Sequence, residues 1–168
     1  PFTYDKDLLR YWTDPMKYIP KFQTAMAVGT PDYSIYPTMN INEVRHNVYM
    51  NRWLGCLWQT YKCVVLPVIS WWGKDTYDIC FSGIEKNSIV IVSTIGCLNN
   101  QEVFLKGFNE MKKRIDPPLI IVYGDMISGM IGRFVNIKYK DAFNNKNKEF
   151  KQLCLWKESN IFERKDVL

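Results

Sequence analysis

Histidine is nearly absent from this chain. His46 is its only one, so imidazole-rich metal sites and histidine relays are excluded, and a structural zinc site would have to rest on cysteine. The five cysteines, Cys56, Cys63, Cys80, Cys97 and Cys154, form no CxxC pair and lie mostly within apolar runs. Odd in number and scattered, they read as reduced core thiols, and no metal ligand set is expected. Phosphate loops, GxGxxG, HExxH and GxSxG are also missing, so no familiar chemistry is diagnosed. No apolar run approaches the roughly 18 residues that span a bilayer, and the opening PFTYDKDLLRYW is too charged for a signal peptide. A soluble cytoplasmic protein without membrane contact is expected. Because the chain opens at Pro1 rather than Met, some upstream sequence or processing is expected as well.

What is present suits a globular domain. Across 168 residues, 47% are hydrophobic, 23% charged and 15% aromatic, enough to bury one core and leave rings for surfaces. The net charge of +5 is unevenly spread: residues 1–132 hold 13 Lys and Arg against 12 Asp and Glu, and residues 133–168 hold 9 against 5. The body is almost neutral. The tail KYKDAFNNKNKEFKQLCLWKES reads either as a solvated Lys-rich segment or as a phosphate-contacting one with Phe150 and Trp156 as stacking rings. One α/β domain over 1–140 is expected, followed by a weakly basic extension, 141–168, packed on it or trailing from it.

Short β-branched runs bounded by Gly, Pro or Ser predict strands at 24–28, 63–69, 88–95 and 118–124. Helical patterns fall at about 41–61 and 101–115. YDICFSG (77–83) reads as a further short strand or excursion, and RFVNIKY (133–139) as a strand near an edge. Strands alternating with helices predict βαβ units and a mainly parallel sheet, either open or curled towards a partial barrel. Asn40 with Glu43, and Asn99 with Glu102, have capping-box spacing.

The first long helix is unusual. Arg45, Arg52 and Gln59 recur every seven residues, and no Lys, Glu or Asp occurs from Val44 to Tyr61. Water-facing stripes normally carry those residues, so the helix is expected to be covered on most sides, with its arginines contacting something other than bulk water.

In parallel α/β folds, ligands bind beyond the carboxyl ends of the strands. This chain places Asp32 and Ser34 after the first strand, Ser70 and Trp71 after the second, Thr94 at the third, and Tyr123 and Gly124 at the fourth. Arg45, His46 and Asn47, in the first turns of the helix, would join that rim. Such a set suits a polar ligand with a flat ring. Asp32 reads as a catalytic carboxylate or an Asx turn. His46 reads as a general base or a satisfied helix-start histidine, Arg45 and Arg52 as anion binders or internal ion-pair partners, and Trp71 as a stacking platform or packing.

The blocks Pro31-Asp32-Tyr33-Ser34, Asn51-Arg52 with Gly55 and Gln59, VLPVISW (65–71), Gly83, VSTIG (92–96) and IIVYG (120–124), in that order, resemble a family of unknown function (domain of unknown function 4417). That family is found in phages, plasmids and other mobile elements of low-GC Gram-positive bacteria. The resemblance covers roughly residues 5–140. It implies a bacterial host cell as the setting, and implies that Asp32, Ser34, Arg52, Gln59, Ser70, Trp71 and Gly124 occupy motif positions; it names no activity and no cofactor. Two functions follow as expectations. One is binding of a nucleotide or nucleic-acid segment at the rim, with or without catalysis on it, with Asp32 and His46 as catalytic candidates and Ser34, Arg45, Asn47, Arg52, Gln59, Ser70, Trp71, Thr94, Tyr123 and Gly124 as ligand contacts. The other is a non-enzymatic role, in which an aromatic surface inhibits or recruits a host defence or replication protein, or binds another phage protein.

Overall fold

The computed structural model of the chain describes residues 3–138. The expectations for the segment 141–168 lie outside them. Two helices come first, α1 (Asp5–Thr13) and α2 (Ile19–Gln23). Then follow β1 (Val28–Gly29), α3 (Ile41–Thr60), β2 (Val65–Leu66), a 3-10 turn at Lys74–Thr76 that runs into α4 (Tyr77–Cys80), and β3 (Val90–Ser93). A second 3-10 turn, Leu98–Asn100, leads into α5 (Gln101–Ile115), and the chain continues through β4 (Ile120–Tyr123) to β5 (Phe134–Ile137).

Every strand pairing is parallel. β1 pairs with β2 through Val28 and Val65, while β3, β4 and β5 form a three-stranded sheet in chain order. A parallel bridge between Val68 and Ile91 joins the two sheets edge to edge, with Ile69 N–H donating to Ile91 O at 2.9 Å and Ile91 N–H to Pro67 O at 2.9 Å. The expected mainly parallel α/β architecture is therefore present, without a closed barrel among the described residues. The runs at 24–28 and 63–69 contribute only two ladder residues each. One reason is local: Val68 N–H donates to the Thr30 hydroxyl, at 2.8 Å, instead of to a backbone carbonyl.

One sheet face, Val90, Val92, Ile120 and Val122, packs with Val44 and Val48 of α3 and with Phe104, Phe108, Met111 and Ile115 of α5. A second core gathers Met50, Leu54 and Trp58 of α3 with Leu8 and Ile19. Val68, Ile91 and Ile121 form a cluster of their own. The stretch 77–83 is not a strand. Tyr77, Cys80 and Phe81 are buried at helical spacing, so the run is too short for its period to be read as two rather than 3.6. α1 and α2 carry no expectation from the sequence: α1 is rich in charge, and α2, at five residues, is too short to show a period.

The capping box at Asn40 forms, with Asn42 N–H donating to Asn40 Oδ1 and Asn40 N–H to Glu43 Oε2, both at 2.9 Å. That at Asn99 does not: the 3-10 turn makes Asn100 the residue before α5, and its side chain caps nothing. The expectation that α3 is covered on most sides is also corrected. Arg45, His46, Tyr49, Trp53, Cys56 and Gln59 are exposed; the missing Lys, Glu and Asp reflect an outer face built of rings rather than a buried one.

Candidate functional site

Since all strands run one way, their exits share an edge, and the loops there are held by side chains from neighbouring segments. Buried Thr30 donates its N–H to Leu66 O at 3.1 Å and accepts from Val68 N–H, which ties the exits of β1 and β2 together. Asn51 donates to Pro31 O at 2.6 Å, and Asn47, one turn earlier on α3, to Ser34 O at 2.9 Å. The loop 31–34 is thereby fixed against α3. Its outer side is held by Asp5, whose carboxylate accepts from Ser34 N–H at 3.2 Å and from Ser34 Oγ–H at 3.0 Å.

This scaffold sets Asp32 against Ser70, whose hydroxyl donates to Asp32 Oδ1. Asp32 forms no ion pair among the described residues. Burial pushes its carboxyl up to about 6; the Ser70 hydrogen bond acts in the opposite direction, and the negative charge of Asp5 adds to the rise. A carboxyl held there exchanges protons near neutral pH. The gap lined by Asp32, Asn47, Asn51, Arg52 and Ser70 measures about 10 Å³, which admits roughly one water and no larger ligand.

Arg52 stands behind this pair and is committed to the fold. Its guanidinium donates to Ser82 O at 3.1 Å, Val68 O at 3.2 Å and Cys80 O at 2.8 Å, and also to Asn51 Oδ1. Burial depresses its pKa to about 10. Four of its five N–H donors are therefore occupied. Arg45, by contrast, is exposed and donates to Asn42 Oδ1 at 3.2 Å. Asp78 pairs with Arg114, at 2.7 Å, rather than with either α3 arginine.

The other named residues separate. His46 faces solvent beside Trp12, ring centres 6.2 Å apart. Gln59 is exposed near the far end of α3, about 18 Å of helix beyond Asn47 at the standard rise. Trp71 stacks on Phe104 at 5.1 Å and packs edge-on to Phe81 at 5.6 Å. A Cβ on Gly107 would lie 2.0 Å from its Nε1, so helix and indole meet at backbone distance.

At the exits of β3 and β4 there is more room. Thr94, Ile95, Gly96, Leu98, Gly124 and Asp125 line a cleft of about 200 Å³. Tyr123 itself is buried in the sheet, and its carbonyl accepts from Thr94 N–H at 3.0 Å. Gly124 has φ +113, and a Cβ there would meet Thr94 Oγ1 at 2.4 Å, so only glycine fits. Asp125 is exposed and forms no ion pair among the described residues. The Cys97 thiol beside this cleft is pushed up by burial, and the charge of Asp32 adds to the rise. Ile95, Cys97 and Leu98 are not among the residues expected at the rim, and their only signal is an apolar set at the end of VSTIG and just after it that no helix face claims. Among the described residues no group of three or more His, Cys, Asp or Glu could hold a metal ion, and no helix is long and apolar enough to cross a membrane.

Residues 2–140 match the family model described as "Domain of unknown function (DUF4417)". The chain is similar to the Gene 1 protein of Mycobacterium phage D29, 35% identical over 116 residues, covering 67% of this chain and 43% of that protein. It is also similar to the Gene 1 protein of Mycobacterium phage L5, 34% identical over 118 residues, covering 68% of this chain and 52% of that protein. The chain thus spans about half the length of these curated relatives. No solved structure matches it. Both relatives come from phages, as the resemblance implies, but from phages of mycobacteria, whose genomes are GC-rich; a low-GC host is not what they display.

Proposed function

The chain belongs to the DUF4417 family, and from that premise we propose that this phage-type α/β domain binds a nucleotide or nucleic-acid segment at the carboxyl edge of its sheet, where Asp32 exchanges a proton with the bound group through the single water that its own gap admits. The observation that carries the reading is the Asp32–Ser70 pair: a carboxyl without an ion-pair partner among the described residues, pushed up to about 6 and oriented by one hydroxyl. Such a carboxyl costs stability, and uncompensated groups of this kind cluster at functional sites. Arg52 plays no direct part, because backbone carbonyls already take its donors. Recognition therefore rests on the ring of the ligand more than on its phosphates, with the 200 Å³ cleft offering the room that the gap at Asp32 lacks.

A thermal-shift series of the full chain against nucleotides and short oligonucleotides tests this. The expected result is a rise in melting temperature that Asp32→Asn removes while its circular dichroism stays native. A shift that persists in Asp32→Asn, or none with any compound, rejects the reading.

One observation favours a second reading, an interface for a host or phage protein. Trp12 meets Tyr49 and Trp53 of α3 edge-on, at 5.9 and 5.2 Å, and these rings are 56% and 38% exposed. Exposed aromatic clusters of this kind anchor protein interfaces. If this face is the functional one, Tyr49→Ala with Trp53→Ala abolishes capture of a single host protein, and Asp32→Asn does not.

A further inference from the structure

The cleft between the exits of β3 and β4 has a composition narrower than "polar ligand". Its volume, about 200 Å³, falls below the roughly 300 Å³ at which drug-sized pockets begin; it suits one flat ring system and not a whole nucleotide. Ile95 and Leu98 at its mouth are 47% and 52% exposed, apolar surface that a stacked ring would cover. Gly124 presents bare backbone to the same cleft. Among the described residues no Lys or Arg lines it, and its one charge is the carboxylate of Asp125.

A carboxylate accepts hydrogen bonds and cannot donate them; its two oxygens are best met by two parallel N–H groups. Among nucleobases, guanine offers that arrangement, with N1–H beside the 2-amino group. Adenine and cytosine set a lone pair next to their amino group, which a carboxylate repels, and uracil holds its single N–H between two carbonyls. We propose that this cleft is a guanine subsite, in which Asp125 accepts from N1–H and the 2-amino group while Ile95 and Leu98 cover the ring. The assignment rests on the rim reading above and specifies its ligand.

The test is isothermal titration of the full chain with guanosine, inosine and adenosine, three probes without phosphate. Guanosine binds at least about tenfold more tightly than adenosine, because a site built to satisfy particular donors discriminates strongly against ligands that lack them. Inosine, which keeps N1–H and lacks the amino group, falls between. Asp125→Asn brings guanosine to within about twofold of adenosine, since the amide replaces one acceptor with a donor. Leu98→Ala weakens all three by a similar factor. Equal affinities for guanosine and adenosine, no binding of either, or a guanosine preference that survives Asp125→Asn overturns the proposal. If oligonucleotides still give an Asp32-dependent thermal shift in that event, only the guanine assignment falls; if they do not, the rim reading falls with it.

Discussion

Asp32 and Arg52 line the same small gap and do opposite things. Asp32 has a pKa of about 6, above the ordinary 3.8, chiefly through burial. The folded form therefore holds its proton more tightly than the unfolded chain, and the stability gained below about pH 4 is lost as pH rises through 6. With a discount for the group's partial exposure, the difference is about 1–2 kcal/mol. Urea unfolding should find Asp32→Asn more stable than the parent by that amount at pH 8, and equal to it near pH 4; a variant less stable at pH 8 would mean that the carboxylate is a structural anchor. Arg52 is such an anchor. Arg52→Met removes the guanidinium donors to the carbonyls of Cys80 and Ser82 and leaves Val68 O with the longer bond from Asn51 alone, and should cost about 3 kcal/mol in the same assay. Lysine at 52 restores little, because one ammonium cannot replace the planar fork. The motif order pointed to Asp32 and Ser70 because both follow strand exits. It could not tell a phosphate-binding arginine from one that binds carbonyls, since those carbonyls lie 16 to 30 residues away in the chain.

Among the elements, α3 and α5 show how far local pattern reaches. Both were legible from hydrophobic spacing, and the Asn40–Glu43 box forms as its spacing requires. Asn40→Ala should therefore cost about 1 kcal/mol in chemical denaturation, whereas Asn99→Ala, whose residue is exposed and caps nothing, should cost almost none. The second box fails because the 3-10 turn at 98–100 shifts the helix start by one residue, a tertiary choice that spacing alone does not encode. α5 also depends on the approach of Trp71. Gly107→Ala raises helix propensity by about 1 kcal/mol, yet its methyl would overlap the indole, and the overpacking should win with a net loss of about 2 kcal/mol. A neutral or stabilising result, read from the melting temperature, would show that Trp71 can leave its place against Phe104. The same packing explains why Trp71, legible as a ring at a strand exit, serves the core: its neighbours Phe81 and Phe104 belong to segments that the sequence does not visibly connect.

For the molecule as a whole, direction of travel was the legible quantity. Four apolar runs bounded by Gly, Pro or Ser, with helices between them, implied parallel strands, and all pairings are parallel. The common edge follows from that, with Asp32, Ser70, Thr94 and Gly124 upon it. Which face of α3 meets water was not legible, for exposed rings and buried rings look alike in sequence. The consequence is two competing surfaces, the strand edge and the ring cluster of Trp12, His46, Tyr49 and Trp53, and one measurement separates them. Amide chemical shifts of the labelled full chain, followed during titration with a short guanine-containing single strand, should move at 30–34, 70–73, 93–98 and 124–125 and stay still around Trp12 and Trp53. Shifts confined to α1 and the outer face of α3, with the strand exits silent, would contradict the account.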